Sequence, residues 1–229
     1  MRDDRRLRLE ILAGALGPIL TWALSIVVIA GWPGYDPIRL SVSLLATAPL
    51  GWLMTVSFAL SGILGAAWAL GLSAVLGANP RHRAIVRWLL LLQAVIAFGF
   101  ALLPTDPTGA PASFVGELHL ADFYAYALTM PLTLLALGLV MRLDPRWAAG
   151  SPGVPRAGAA RPTLVAAALA LVSIALVPAT IDGPLTPWLG LLERLFIAIP
   201  SAWQVYAAVI AWRIARRSAP LEPRTVVTA

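Results

Sequence analysis

The side chains able to do chemistry gather near one end of a single apolar run. His119, Asp122, Tyr126, Thr129 and Thr133 are spaced so that a helix, at about 100° per residue, puts them on one face. Glu117 falls off that face, at the membrane edge. Ionisable groups inside an apolar helix turn toward the bundle interior and pair there. Arg194, about two turns into the last apolar run, is the expected partner. Asp106, in the turn Pro104-Thr105-Asp106-Pro107, packs over the same end, with Tyr35 and Ser43 nearby. Three chemistries fit these residues. They lock helix ends together, or they bind a lipid headgroup or small polar ligand. Or His119 acts as general base with Asp122 as its orienter and Ser43 as the nominated nucleophile. A metal held by Asp106, His119 and Asp122 would have one His and no Cys, a poor zinc set, so no metal and no cofactor is assigned. Asp106 in its proline-flanked turn also has the plainer reading of a turn former, its carboxylate on local backbone. His82, between Arg81 and Arg83, reads as a solvated headgroup contact.

The elements that must position these residues are membrane spans. The 229 residues are 59% hydrophobic and 12% charged, whereas a soluble domain carries about 25% charge. Six apolar runs are long enough to cross a bilayer, which takes about 20 residues each. They cover residues 11–30, 50–77, 84–103, 118–141, 163–181 and 187–212. All 17 basic residues are Arg, and only Arg39 and Arg194 lie away from one set of alternate ends. Cytoplasmic loops are enriched in Lys and Arg, so the expected fold is all-α: a polytopic membrane protein, a six-transmembrane-helix bundle with both termini inside. Residues 1–217 read as one domain and 218–229 as a disordered cytoplasmic tail. The first run has 20 residues, longer than the roughly 7–15 of a signal peptide, and is expected to be retained. A charge of +6 and a pI near 11.0 fit contact with anionic membrane lipids at four inner segments, not nucleic acid. The absence of Cys excludes disulfides, thiolate metal sites and a lipoprotein anchor. Protein partners are not identifiable.

Local signals refine the spans. Pro49 is the natural break in the long stretch after Arg39, leaving a short outer segment over 41–48. Ser57, Ser61, Gly65, Ala69, Ser73 and Gly77 recur at every fourth position, a stripe that predicts close helix packing. Gln93 and Gln204 are expected to bond across helices. Thr186 and Pro187 read as the N-cap and first turn of the last span, which Pro200 should kink. The linker 143–161, rich in Pro, Gly and Ala, reads as flexible. No nucleotide-binding, zinc-protease or nucleophile-elbow signature occurs, and no repeat is assigned.

These same residues carry a resemblance. Leu103-Pro104-Thr105-Asp106-Pro107, with Gly116 and His119 downstream, is similar to the F-P-x-D-x and G-x-x-H pattern of the DUF998 family of bacterial and archaeal integral membrane proteins. Tyr35-Asp36-Pro37 with Ser41 and Ser43, and Gly190-Leu191-Leu192-Glu193-Arg194 with Trp203, also resemble the family. Two positions depart from it: Leu103 replaces the usual Phe, and Ser43-Leu44 stands where a Ser-Asp pair is frequent. The second removes a carboxylate and counts against metal or hydrolase chemistry. The resemblance implies a six-helix membrane fold and no particular reaction. The expectation is a non-enzymatic protein of the bacterial cytoplasmic membrane, whose outer cluster locks the bundle or binds a ligand. A membrane-embedded lipid hydrolase using His119, and a small transporter, are the alternatives.

Overall fold

A computed structural model describes residues 4–77, 79–148, 158–180 and 183–218. All regular structure among the described residues is helical: α1 Asp4–Ala30, α2 Trp52–Val75, α3 Pro80–Leu102, α4 Phe114–Leu143, α5 Pro145–Ala148, α6 Ala160–Ala175, α7 Val177–Thr180 and α8 Leu189–Ser218. Five helices among the described residues (α1 to α4, and Thr186–Arg216 with α8) are long and apolar enough to cross a membrane. Apolar side chains such as Ile26, Val95 and Leu128 stand outward, as lipid-facing residues do.

The fifth run differs from its expected form. It is a 16-residue helix, α6, followed at Leu176 by the separate four-residue α7. Pro178 has no N–H to continue a helical ladder, so the helix gives way just before it. Its last residue, Ile181, lies outside the described residues, as do 149–157 of the linker and the tail from 219. The described ends of that linker are pinned. Asp144, 2% exposed, accepts from the Gly77 backbone N–H at 2.6 Å and from the Arg146 backbone N–H at 3.0 Å. Trp147 is fully buried, and its carbonyl accepts from the Ala159 N–H at 2.8 Å.

Helix pairing follows the small residues. In a membrane, close backbone approach supplies the packing that water would otherwise drive. A Cβ at Gly14 would fall 2.5 Å from the Trp68 ring, and one at Gly71 would fall 2.9 Å from the Glu10 backbone. These contacts run α1 antiparallel to α2. Gly62 admits the Ala94 carbonyl and Phe98 of α3 in the same way, and Gly138 of α4 admits Leu164 of α6. The predicted stripe serves packing at Ser61, which bonds Thr21 at 2.7 Å, and at Gly65, against Ala94. Gly62 and Gly71, which admit the backbones of α3 and α1, lie off that stripe. Hydroxyls within the helices donate to carbonyls one turn back, as from Thr21 to Gly17, Thr133 to Thr129 and Ser201 to Ile197. Each of these three hydroxyls is thus satisfied inside its own helix.

The segment after the first helix is a loop ending in a 3-10 turn, Ser43–Thr47, close to the short outer segment expected before Pro49. At the last span the start differs from expectation. Thr186 and Pro187 form a separate 3-10 turn, Thr186–Trp188, and the Thr186 hydroxyl bonds Gly183. It closes a local turn and does not cap α8, which continues unbroken through Pro200.

Candidate functional site

The polar residues at the Tyr35 end build two closed devices, beside two adjoining chambers. The first device clamps the loop between α1 and the 3-10 turn onto α8. Arg194 donates to the carbonyls of Pro37 at 2.7 Å and Leu40 at 2.9 Å, and to the Tyr35 hydroxyl. Its guanidinium also lies over the Tyr35 ring, 5.4 Å from the centroid. The Tyr35 hydroxyl donates in turn to the Ser41 carbonyl at 2.6 Å. Burial raises the Tyr35 phenol pKa above its ordinary value, with the Arg194 hydrogen bond and charge opposing the shift. The neighbouring Glu193 holds the other end of the loop, accepting from the Val42 N–H at 2.8 Å. Gly190 completes the fit, because a Cβ there would fall 2.3 Å from the Leu40 carbonyl oxygen. A guanidinium thus takes the loop's carbonyls and a carboxyl oxygen takes its amide, each as its chemistry requires.

Arg194 is therefore not the partner of the α4 carboxylate. Among the described residues it makes no bond to His119 or Asp122. Opposite charge in sequence suggested the pairing, but a guanidinium has five donors, and the folded loop offers it carbonyls.

The second device caps α4. Asp106 accepts from the Ser113 N–H at 2.9 Å and from its hydroxyl at 2.7 Å, and the Ser113 oxygen accepts from the Gly116 N–H at 3.0 Å. These Ser113 bonds hold the Asp106 carboxyl below the usual carboxylate range. The turn-former reading of Asp106 is close, although its partner lies seven residues on. Gly116 leaves room for the carboxylate: a Cβ there would fall 2.0 Å from Oδ2. His119, 6% exposed, holds the preceding strand of the loop, its Nδ1 lying 2.6 Å from the Leu103 carbonyl oxygen. A carbonyl only accepts, so Nδ1 carries the proton, and the neutral ring leaves Nε2 as an acceptor.

Below His119 the predicted polar face of α4 turns toward α3. His119 and Tyr126 both pack on Phe100, and Asp122 lies against Gly99 with Oδ2 buried and unbonded. Gln93 bonds across helices as expected, its Nε2 donating to Thr129 Oγ1 at 2.6 Å. The Thr129 hydroxyl gives its own proton to Ala125, which fixes the Gln93 amide in that sense. Gln204 lies beside Gly17 and lines a cavity.

Two chambers adjoin these devices. The entrance chamber, about 220 Å³, lies between the loop, α4, α7 and α8, and is lined by Ser43, Thr105, His119, Ser173, Thr180 and Glu193 among others. The inner chamber, about 150 Å³, lies deeper among α1, α2, α3, α4 and α8 and is walled by Phe58, Trp68, Phe100, Tyr126 and Trp203, with Thr21, Ser61 and Gln204. Ser43, Phe123, Glu193 and Phe196 line both. Of the residues nominated from sequence, Ser43 and His119 share the entrance chamber, Ser43 and Tyr126 the inner one. Asp106, Asp122 and Arg194 line neither. Glu193 was missed; the available signal was a carboxylate in an apolar run, directly beside Arg194. No group of three or more His, Cys, Asp or Glu able to hold a metal ion occurs among the described residues.

A bundle of long apolar helices, with its polar side chains turned inward and at the ends, defines a multi-pass membrane protein. Residues 15–210 match the family described as a protein of unknown function, DUF998, and the chain belongs to that family. Searches of curated proteins and of solved structures found no match.

Proposed function

We propose that this protein is a non-enzymatic binding protein for an amphiphile in the bacterial cytoplasmic membrane. In this reading six spans, with α6 and α7 together as the fifth, leave both termini inside and the Tyr35 loop outside. The arginine distribution supports that orientation. The observation carrying the proposal is the pair of adjoining chambers, each mostly apolar with a few polar groups. The entrance chamber brings the imidazole of His119 and the hydroxyls of Ser43 and Thr105 together, and the inner one is deeper, with aromatic walls and Thr21, Gln93 and Gln204 among them. Pockets that are mostly apolar with a few converging polar groups are the usual form of a small-molecule site. The head of the ligand would sit beside Ser43, His119 and Glu193, and its chain would pass Phe123 and Phe196. The Glu193–Arg194 clamp and the Asp106–Ser113 cap then form the structural lock that keeps the entrance in shape. Native mass spectrometry of protein released from membranes tests this. Wild type should retain one amphiphile per chain, and Ala97→Phe, which fills the inner chamber, should lose it with little change in melting temperature. Equal retention by both would sink the proposal.

A second reading rests on one observation: the Leu103 bond leaves His119 Nε2 as a base in a chamber that Ser43 also lines. A lipid ester hydrolase would use Ser43 Oγ as nucleophile and Nε2 as proton acceptor. Turnover of a lipid ester by purified protein, abolished in both Ser43→Ala and His119→Gln, would establish it. No turnover would remove it.

A further inference from the structure

The entrance chamber offers hydroxyls and lone pairs, and no cation among the described residues. The Ser173 hydroxyl donates to the Leu169 carbonyl at 2.8 Å, and the Thr180 hydroxyl donates to the Val177 carbonyl at 2.7 Å. Each keeps its proton on its own helix and presents only lone pairs to the chamber. His119 presents Nε2, an acceptor in the neutral ring. Glu193 contributes carboxylate oxygen, one of which is held by the Val42 N–H. Ser41, Ser43, Thr105 and Tyr124 bring hydroxyls whose protons have no acceptor among the described residues. Among the described residues no Lys or Arg lines the chamber. The nearest cation, Arg194, is occupied by the loop carbonyls and Tyr35.

An anionic head would meet lone pairs on several sides, with no cation among the described residues to offset its charge. Burying a charge without a partner is strongly unfavourable. A full ammonium is also a poor match, because the one carboxylate is engaged by the backbone and sits beside the Arg194 charge. A hydroxyl head fits. It donates to the lone pairs of His119, Ser173 or Thr180 and accepts from Ser43 or Thr105. We infer that the site takes a neutral amphiphile with a hydroxylated head and a single apolar chain, the head in the entrance chamber and the chain in the aromatic inner one. This rests on the amphiphile-binding reading above and names its ligand class.

Chain-brominated monooleoylglycerol is the probe, because Trp68 and Trp203 line the inner chamber and bromine quenches indole fluorescence on contact. The full-length protein in nanodiscs is titrated with it, and two competitors share its chain. Lysophosphatidic acid carries a phosphate in place of a hydroxyl, and the diacetylated monoacylglycerol has both hydroxyls capped. The hydroxylated compound should compete about tenfold better than the acetylated one, the scale of one or two lost neutral hydrogen bonds. The phosphate compound should be weaker by about a hundredfold or more, through desolvation of its charge. Thr105→Val and Ser43→Ala, each checked for unchanged melting temperature, should weaken the probe several-fold without altering the acetylated competitor. Equal binding of the acetylated compound, or tight binding of the phosphate, overturns the ligand class and leaves amphiphile binding standing. Absence of quenching by every compound overturns both.

Discussion

Replacing Arg194 with Ala should open the first loop without unfolding the bundle. Four acceptors surround the guanidinium, but they do not count equally. The Gly190 carbonyl is one turn back on the same helix and holds no loop. The Pro37 bond is exposed, so water replaces much of it. The Leu40 carbonyl and the Tyr35 hydroxyl are part-buried and belong to the loop. A hydrogen bond to a charged group contributes about 1.5–3 kcal/mol when well buried, and partial exposure brings each here to roughly 1–1.5 kcal/mol. Two such bonds give about 2–3 kcal/mol, or roughly 30- to 150-fold in the opening equilibrium at 1.4 kcal/mol per decade. Hydrogen exchange reads that equilibrium directly, peptide by peptide. Amides at residues 35–48 should exchange faster by that factor in Arg194→Ala, while amides in α2 and α3 stay unchanged. Gly190→Ala should open the same loop with every charge in place, since its Cβ would meet the Leu40 and Pro37 carbonyls. Loop exchange within twofold of wild type in both variants would refute the clamp.

Gly116→Ala should displace Asp106 from Ser113 and lower the melting temperature, because the new Cβ would occupy the position of Oδ2. The same cap should weaken in acid. The Asp106 pKa is lowered by its Ser113 bonds, so its contribution is present above the unfolded carboxylate pKa and is lost as pH falls through the lower folded value. Exchange at 106–116 measured down a pH series checks this, and Asp106→Asn should remove the pH dependence. Gln93→Leu should shift stability by less than about 1 kcal/mol, since interhelical hydrogen bonds in membranes average about 0.6 kcal/mol. The substitution also removes the buried, unbonded Gln93 Oε1. Gly71→Ala should cost about 1–3 kcal/mol, as overpacking against rigid groups does, because the Glu10 backbone stands in the way. Gly138→Ala should cost less, since its closest neighbour is the end of the Leu164 side chain. Both are read by thermal unfolding in detergent.

The spans were legible because hydropathy and length are local properties. Helices α1 to α4 and α8 follow the apolar runs closely, and Pro49 separates the 3-10 segment from α2 much as its chemistry requires. The fifth run is interrupted. Apolarity continues past Leu176, but Pro178 breaks the ladder there, and composition does not register a missing N–H. At the site, spacing placed His119, Asp122, Tyr126 and Thr129 on one inward face because helical period alone decides that. Partner choice was not legible in the same way. Arg194 was matched to the nearest unlike charges, yet its acceptors are carbonyls of Pro37 and Leu40, which every residue has and no sequence marks. The motif residues Asp106, Gly116 and His119 read as candidate chemistry. In the fold, Asp106 and Gly116 belong to a helix cap, and His119 keeps one free nitrogen. The chambers arise from the packing of several separate segments, which no single stretch of sequence encodes.

The most direct test of the amphiphile-binding account is an experimental structure of the protein in native-lipid nanodiscs. The account predicts continuous density through both chambers, with a polar end within hydrogen-bonding distance of His119 Nε2 and Ser43, and a chain running between Phe123 and Phe196. Chambers filled by collapsed side chains, or density only at the outer surface of the bundle, would contradict it.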